Sequence, residues 1–320
     1  MAHVAVVVAS HDRPLRLRWL LNALEEQTLQ EFEVVVAHDS RGPETEELLR
    51  THPLAADGRL KHLTFRPGPG PAEKRNAAWN TARAPLIAFT DDDCRPPADW
   101  LENLVTVAAL NAGAVVQGAT RPDPDELAIA HRAPHARTQE IAPPTPWGQT
   151  CNILYPRELL EELGGFEPSF PLPAGEDTDL LQRALALGAE HVAAPDAVTY
   201  HCVEPGSLAE SVRVAWRWQA LPLVLRRHPQ LRAGLPLRLF WKPAHAGLVL
   251  GLLALPLVRR SPLLAALAWL PWARAALPSY GRSPRGLLRA ATELPGRVVV
   301  DAVETAGVAR GAVRHRTPLL

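Results

Sequence analysis

The stretch Phe89-Thr90-Asp91-Asp92-Asp93-Cys94 constrains this chain more than any other. Before it, Ala84-Pro85-Leu86-Ile87-Ala88-Phe89 is a short apolar segment of the kind that forms a buried strand. After it, Arg95-Pro96-Pro97 forbids continuation inside a sheet, because proline offers no amide hydrogen to a neighbouring strand. Three carboxylates therefore stand where a central strand ends. In open α/β sheets the ligand crevice lies at the carboxyl ends of the strands. Oxygen ligands at that place suit Mg²⁺ or Mn²⁺, ions often shared with substrate phosphates. A solvated acidic turn would carry the same residues. A second acidic cluster, Gly175-Glu176-Asp177-Thr178-Asp179, favours a site.

Upstream, Val4–Ala9 is a β-branched run followed by Ser10-His11-Asp12-Arg13-Pro14, with Pro14 suited to the first turn of a helix behind a Ser or Asp cap. Leu15, Leu17, Trp19-Leu20-Leu21 and Leu24 then recur at helical spacing. Phe32–Ala37 is a second strand, ending at His38-Asp39-Ser40. A helix is expected over Glu44–Arg50 and a strand over Leu60–Phe65. Residues 66–71, Arg-Pro-Gly-Pro-Gly-Pro, can only be a loop. Ala72–Ala82 reads as a helix with Lys74, Arg75 and Asn76 near its start. This alternation argues for a doubly wound, mostly parallel α/β sheet flanked by helices. It puts Asp12, Asp39 and Asp91–Asp93 on one rim. Taken singly, Asp12 reads as a helix cap and Asp39 as a turn residue. Neither G-x-G-x-x-G after the first strand nor G-x-x-x-x-G-K-[ST] is present, against a dinucleotide oxidoreductase and a P-loop NTPase.

Downstream, Asp99-Trp100-Leu101 opens a helix to about Leu110, and Ala114–Gly118 is a strand. The proline-rich segment 122–146, with His131 and His135, is expected to be an active-site flap or a mobile loop and not a metal site. Trp147–Leu154 returns to the sheet, and Arg157–Leu163 is a short helix closed by Gly164-Gly165. The second acidic cluster then opens a helix running to Gly188, where the dipole favours negative charge. Capping explains one or two of its acids, not all three. Val192–Val198 is a last strand, with Tyr200-His201-Cys202 at its end.

Charge divides the chain. Residues 205–320 carry 17 basic and 4 acidic side chains, whereas the whole chain has 34 of each. An acidic front and an arginine-rich rear suggest two jobs. The rear also holds apolar runs, 244–258 and 263–277, so an anionic membrane surface suits it better than nucleic acid. Each run falls short of the roughly 20 residues a spanning helix needs. A short hairpin dipping into the bilayer, interfacial helices with arginines among headgroups, and a hairpin packed on the protein all remain open. Residues 207–227 read as one basic, Trp-bearing amphipathic helix, and 294–305 as another. The 3 cysteines, Cys94, Cys151 and Cys202, are far apart, as in a reducing compartment. With Val4 starting directly on a strand, no signal peptide is expected, and the expected location is the cytoplasmic side of the cell membrane, peripheral or shallowly inserted.

Read in order, 6–14, Gln27-Thr28, 32–40, Arg75-Asn76, Asp91-Asp92-Asp93, Trp100-Leu101, Gly164-Gly165-Phe166 and Gly175-Glu176-Asp177-Thr178-Asp179-Leu180 resemble family 2 glycosyltransferases. The likeness covers roughly 4–207. It implies a GT-A fold over 1–204, a helical, membrane-associating region over 205–320, a nucleotide-sugar donor (UDP-, GDP- or dTDP-sugar), a divalent metal (Mn or Mg) and inversion at the anomeric carbon. It implies Ser10, Asp12, Asp39, Arg75, Asp91 and Asp92 on the donor side, with Asp39 accepting from the nucleobase. Asp93 and His201 are implied as metal ligands, Asp177 as general base, and Trp147 and Glu176 on the side of a glycan or lipid-linked acceptor. His38 and His11 depart from the family pattern, which carries an acidic and an aromatic residue at those places in many members; both bear on nucleobase preference.

Two other classes share parts of this pattern. A nucleotide-sugar or glycan-binding module would keep the fold without turnover, but binding alone requires no base at Asp177. A sugar nucleotidyltransferase would carry a Gly-rich, basic loop after the first strand, where His11-Asp12-Arg13-Pro14 stands.

Overall fold

A computed structural model of the chain describes residues 2–68, 70–170, 173–277, 280–281 and 283–320. Pro69 of the expected loop, Pro171 and Leu172 before the second acidic cluster, and Arg282 in the basic tail lie outside them. The chain divides into two units, 1–128 with 137–204, and 129–136 with 205–320.

The first unit is built on one eight-stranded sheet. Its elements begin β1 (Val4–Ser10), α1 (Pro14–Glu25), β2 (Phe32–His38), α2 (Pro43–Thr51), α3 (Pro53–Ala56), β3 (Leu60–Thr64), α4 (Pro71–Thr81), β4 (Leu86–Asp91) and β5 (Cys94–Arg95). They continue with α5 (Trp100–Leu110), β6 (Val115–Pro122), β7 (Asn152–Pro156), α7 (Arg157–Leu163), α8 (Glu176–Ala186) and β8 (His191–His201), while α6 (Leu127–Arg132) starts in this unit and ends in the second. Helices α1, α2, α3 and α4 each carry proline in the first turn, where its missing amide hydrogen costs nothing.

The strand order is β3-β2-β1-β4-β7-β6-β8-β5. Strands β3, β2, β1 and β4 run parallel, as does the pair β6 and β8. Alternate residues of β1 and β2 feed opposite layers. Val4, Val6, Val8, Val34 and Val36 pack with Leu17, Leu20, Leu21, Leu49, Trp100 and Leu104. Ala5, Val7, Val35 and Ala37 pack with Trp79, Phe89, Phe166, Leu180 and Leu181 on the other face. Burial on both faces is why these strands read as unbroken apolar runs and not as alternating ones.

β7 is the departure from a wholly parallel sheet: it runs antiparallel to both β4 and β6. The physical reason is where the chain re-enters. β6 ends at Pro122 on the rim where β1, β2, β4 and β8 also end, and the next strand starts from that same rim, so it must run backwards. The segment between them is more ordered than a free loop. It contains a 3₁₀ turn at Pro124–Glu126 and helix α6, and Thr120 and Ile141 form a β-bridge. Arg95 clamps Asp123 through two bonds of 2.9 and 2.7 Å, and Arg16 pairs with Glu126, whose other oxygen accepts from the Val203 amide.

The second unit is helical: α9 (Leu208–Arg217), α10 (Leu221–Arg227), α11 (Pro243–Leu253), α12 (Pro262–Ala268), α13 (Leu270–Ala276) and α14 (Pro284–His315). Ser207 and Glu210 form a reciprocal capping box that starts α9. The single helix expected over 207–227 breaks at a 3₁₀ turn, Trp218–Ala220, ahead of Pro222. The helix expected over 294–305 is instead the middle of the 32-residue α14, which runs through Pro295. Ala244, Leu248 and Trp272 form the core there, with Leu294 and Val298 of α14 packed against it. Among the described residues no helix is long and apolar enough to cross a membrane.

Asn152, at the start of β7, ties three strands and a helix together. Its amide donates to the carbonyls of Ala119 and Ala197 at 2.7 and 2.8 Å and accepts from the Trp100 indole at 2.8 Å. Gly118 leaves the room, since a methyl there would collide with Asn152 and the Ala197 carbonyl. Asn152→Ala should therefore strand three buried polar groups. We expect a loss of about 3 kcal/mol or more in denaturant unfolding, at 1–3 kcal/mol for each such group.

Candidate active site

The rim formed by the ends of β1, β2, β4 and β8 gathers almost all the acidic residues singled out in the sequence. Asp39, just past β2, is buried and accepts from Lys74 Nζ at 2.6 Å and from His11 Nδ1 at 2.9 Å. Lys74 also donates to the Ser10 carbonyl at 3.1 Å, so α4 binds the ends of β1 and β2 at once. Burial alone would raise the Asp39 carboxyl, but the hydrogen bonds from Lys74 and His11 prevail and hold it low. Asp39 therefore stays an acceptor over the whole neutral range.

Asp92 faces β1. Its Oδ2 accepts from Ser10 Oγ at 2.7 Å and from the His11 amide at 3.3 Å. Burial first, and Asp93 beside it, push its carboxyl up to about 6 against the pull of Arg13 and Ser10. Asp91 instead accepts from Arg75 Nη2 at 3.0 Å, and the other arm of that guanidinium donates to Glu176 Oε1 at 3.1 Å. One buried arginine thus joins the end of β4 to the start of α8. The Phe166 ring lies 5.7 Å from the Arg75 guanidinium.

Asp93 and His201 meet on the far side of the strand end. The Asp93 amide-bond carbonyl accepts from the Cys202 amide at 3.0 Å, extending the pairing of β5 with β8. Asp93 Oδ1 is buried without a hydrogen-bond partner and lies 3.5 Å from His201 Nε2. His201 Nδ1 sits 2.9 Å from the Cys202 carbonyl, so the proton belongs on Nδ1 and the lone pair on Nε2. Gln139 Nε2 also approaches His201 Nε2, at 3.1 Å.

Ligand atoms of Asp93, His201 and Cys202 lie within 4.8 Å of one another. A buried, orphaned carboxylate oxygen facing an imidazole lone pair fits a divalent ion that takes oxygen and nitrogen. Burial, with Asp93 next, drives the Cys202 thiol well up, so it stays protonated and is a poor partner for a hard ion. A second group of this kind, His245, Asp301 and Glu304, belongs to the helical unit. There Lys242 Nζ already pairs with Glu304 at 2.6 Å.

In α8 the cap position is Gly175, with φ 97°, so no side chain caps the helix. Its three first-turn acids then have three different fates. Glu176 is held by Arg75. Asp179 pairs with Arg183 at 2.9 Å, and Arg183 also donates to the Leu163 and Gly165 carbonyls, so that pair anchors the helix. Among the described residues Asp177 accepts only the Thr178 amide, at 2.8 Å. Its carboxyl is pushed up to about 7, by burial first and by Glu176 second. Trp147 is fixed beside this helix, because Thr178 Oγ1 donates to its carbonyl at 2.8 Å and Gln182 reaches the Pro146 carbonyl at 2.9 Å.

Asp12 does not join the carboxylates. Its Oδ1 accepts from the Arg41 amide at 2.7 Å and its own amide donates to Ser40 Oγ at 3.2 Å, so it links the two loops after β1 and β2. Three further residues of the rim, Lys74, Arg13 and Glu204, are given no site role by the sequence. Arg13 Nη1 lies 2.5 Å from Asp93 Oδ2 and 3.4 Å from Asp92 Oδ1, and its Nη2 lies 2.7 Å from Glu204 Oε1. A cation three residues past the end of β1 is the signal that points to Arg13; an acidic rim requires such partners.

The Glycosyl transferase family 2 model matches residues 5–164. Glycosyltransferase AglE of Haloferax volcanii is 25% identical over 208 residues, 63% of this chain and 67% of its own length. Validoxylamine A glucosyltransferase of Streptomyces hygroscopicus subsp. jinggangensis is 25% identical over 281 residues, 77% of this chain and 64% of its own. The chain thus spans about two thirds of these curated relatives. Among solved structures, mannosyltransferase PcManGT from Pyrobaculum calidifontis, in complex with GDP-Man and Mn²⁺, superposes with a TM-score of 0.58 at 23% identity. That likeness covers 98% of this chain and 87% of the other. S. aureus TarS 1-349 in complex with UDP-GlcNAc gives 0.52 at 16% identity, covering 99% and 93%. These neighbours share the mixed α/β, GT-A type of sheet described above. The family model takes in half of the 320 residues, and this chain belongs to glycosyltransferase family 2, a glycosyltransferase built on that sheet.

Proposed function

We propose that the protein is an inverting, metal-dependent glycosyltransferase that moves a sugar from a nucleotide-sugar to a hydroxyl of a lipid-linked or envelope glycan. The observation that carries the reading is the Arg75 bridge. It brings the acids at the end of β4 and those at the start of α8 to one rim through a single buried guanidinium. On this reading Asp39 accepts from the nucleobase, and Ser10, Asp91, Asp92 and Arg75 shape the donor side. Asp12 serves the donor only through the loop it braces against Arg41. Asp93 and His201 would hold Mn²⁺ or Mg²⁺, and the Mn²⁺ and GDP-Man bound by the Pyrobaculum neighbour support that choice. Such an ion neutralises charge that builds on the departing diphosphate. Asp177 takes the proton from the acceptor hydroxyl as its oxygen attacks the anomeric carbon and the bond to the diphosphate breaks. Glu176 and Trp147 border the acceptor.

A carboxylate near pH 7 is well matched to that task, because a base must be both ionised and basic. Its effect on stability has the opposite sign from an ordinary ion pair. The folded chain keeps the Asp177 proton up to about pH 7, whereas an unfolded Asp releases it near pH 4. As pH rises between those values the folded state is progressively disfavoured. Asp177→Asn should therefore cost about 10²–10⁴-fold in transfer rate with donor affinity little changed. Its melting temperature at pH 8 should equal or exceed that of the wild type. A helix-capping role for Asp177 would give the reverse, a lower melting point and near-normal turnover. In the wild type the transfer rate should climb with pH through about 7.

Asp93 is tested through binding. Asp93→Ala should abolish Mn²⁺-dependent binding of UDP or GDP in calorimetry while leaving the circular dichroism spectrum intact. Unchanged affinity would remove Asp93 from the ion.

The helical unit supports an anionic membrane surface as partner, on the cytoplasmic side. No acidic residue stands between Glu210 and Glu293. Over residues 250–270 Leu253 and Leu263 are 73% and 70% exposed, and Leu250, Leu255, Leu264 and Leu270 are exposed with them. An apolar patch of that extent beside Arg259 and Arg260 suits the headgroup region of a bilayer. The full chain should sediment with vesicles containing phosphatidylglycerol, less so at high salt. Leu253→Glu with Leu263→Glu should abolish this, and retention of vesicle binding by that variant would move the contact elsewhere.

A further inference from the structure

The carboxylate of Asp93 is divided between two neighbours. Oδ1 faces His201 Nε2 at 3.5 Å and has no hydrogen bond, while Oδ2 is held by Arg13 Nη1 at 2.5 Å. A divalent ion on the first oxygen would put a second positive centre on a group already neutralised by a guanidinium, and like charges at that range repel strongly where water is scarce. Arg13 and the ion therefore compete.

Arg13 is also free to lose that competition. Its side chain is 39% exposed, and it stands ahead of Pro14 at the start of α1, in the loop and not in the sheet. Its departure strands no acid. Glu204, on its other arm, keeps Arg137 Nη2 at 3.2 Å, and Asp92 keeps the Ser10 hydroxyl and the His11 amide. Arg95, about equally exposed, makes the contrast: its Nε and Nη2 hold both oxygens of Asp123, and Nη2 also reaches Asp125.

We propose that Arg13 is an exchangeable counter-ion of the donor site. Without a divalent ion its guanidinium neutralises Asp93 and Asp92; when the ion binds, Arg13 is released to the diphosphate of the donor. Its planar fork suits two phosphate oxygens. The exchange limits the gain of positive charge at the strand end to one unit, where the ion beside a fixed Arg13 would add two, so the acidic rim need not be rebuilt when donor arrives. This inference rests on the reading that Asp93 is a metal ligand.

The test uses the full chain with three substitutions, Arg13→Gln, Arg13→Lys and Asp93→Ala, and follows free Mn²⁺ by electron paramagnetic resonance. With Mn²⁺ alone, Arg13→Gln should bind about tenfold more tightly than the wild type, because the competitor is gone. With saturating Mn²⁺, UDP and GDP should bind it about tenfold more weakly, because the released guanidinium is missing. Arg13→Lys keeps the charge without the fork, so its Mn²⁺ affinity should stay within about threefold of the wild type. Mn²⁺ should also raise the melting temperature of Arg13→Gln by more than that of the wild type, which reports both folding and the unmasked carboxylates. Equal Mn²⁺ affinity in Arg13→Gln and wild type, or a parallel loss of Mn²⁺ and nucleotide binding, overturns the exchange. Where Asp93→Ala loses the ion and Arg13→Gln leaves affinity unchanged, only the exchange fails. An Asp93→Ala chain that binds Mn²⁺ like the wild type overturns the ligand assignment and the exchange together.

Discussion

The Arg75 guanidinium, buried between Asp91 and Glu176, is the contact on which the geometry of this site depends. The two carboxylates it holds are 85 positions apart and belong to the end of β4 and the first turn of α8. Without a cation between them, a strand end carrying three acids would face a helix start carrying three more. Burying a charge costs several kcal/mol, and a pair repays it only when geometry is good and the remaining polar atoms are satisfied. Here they are not: Arg75 Nε and Glu176 Oε2 are both buried without partners. Burial keeps the Glu176 carboxyl raised even with Arg75 beside it. A bridge left partly unsatisfied is weak evidence for stability and better evidence for a place where polar ligand groups are received.

The same logic runs around the rim. Lys74 answers Asp39, Arg13 answers Asp93, and Arg183 answers Asp179, each through a bond of 2.5–2.9 Å, and Arg13 also reaches Asp92 at 3.4 Å. Residues 1–204 carry 17 basic against 30 acidic side chains, and several of those bases are committed to the rim. A donor with its diphosphate and ion adds both signs of charge, so it can enter only where the existing pairs can open. Buried and doubly held cations such as Lys74 fix the frame, while a half-exposed one such as Arg13 can yield.

Much of this architecture is legible in the sequence because it is local. Val4–Ala9 and Phe32–Ala37 are β-branched and apolar, proline marks helix starts, and Gly164 and Gly165 take the left-handed conformations, φ 69° and 72°, that end α7. The acids at strand ends follow from strand ends being readable. What stays hidden depends on distant partners. Arg13 meets Asp93 across 80 positions; its place in the loop after β1 hints at a rim partner, but which acid it meets is not encoded near it. The backward course of β7 depends on where a 29-residue excursion lets the chain re-enter the sheet, which no periodicity encodes. Pro295 misleads for the opposite reason: the expected helix, 294–305, begins beside it because proline is tolerated in a first turn, but with Leu294 and Val298 packed on the α11–α13 core α14 runs on through it from Pro284.

The choice of base among three adjacent acids illustrates how far geometry goes beyond motif. Glu176, Asp177 and Asp179 share one helical turn and the same favourable dipole. Glu176 is bound to a guanidinium and Asp179 to another, so each would have to give up an ion pair to accept a proton. Among the described residues Asp177 has a single backbone amide, and burial first, then Glu176 beside it, raise its carboxyl. Poor stabilisation of the anion is what makes a carboxylate basic, and the helix start withholds from Asp177 the partners it gives the other two. Gly175 is part of that arrangement. A Ser or Asp at the cap would add a side-chain oxygen to the same first-turn amides that Asp177 touches, whereas glycine in the left-handed region starts the helix and leaves the Thr178 amide to Asp177 alone.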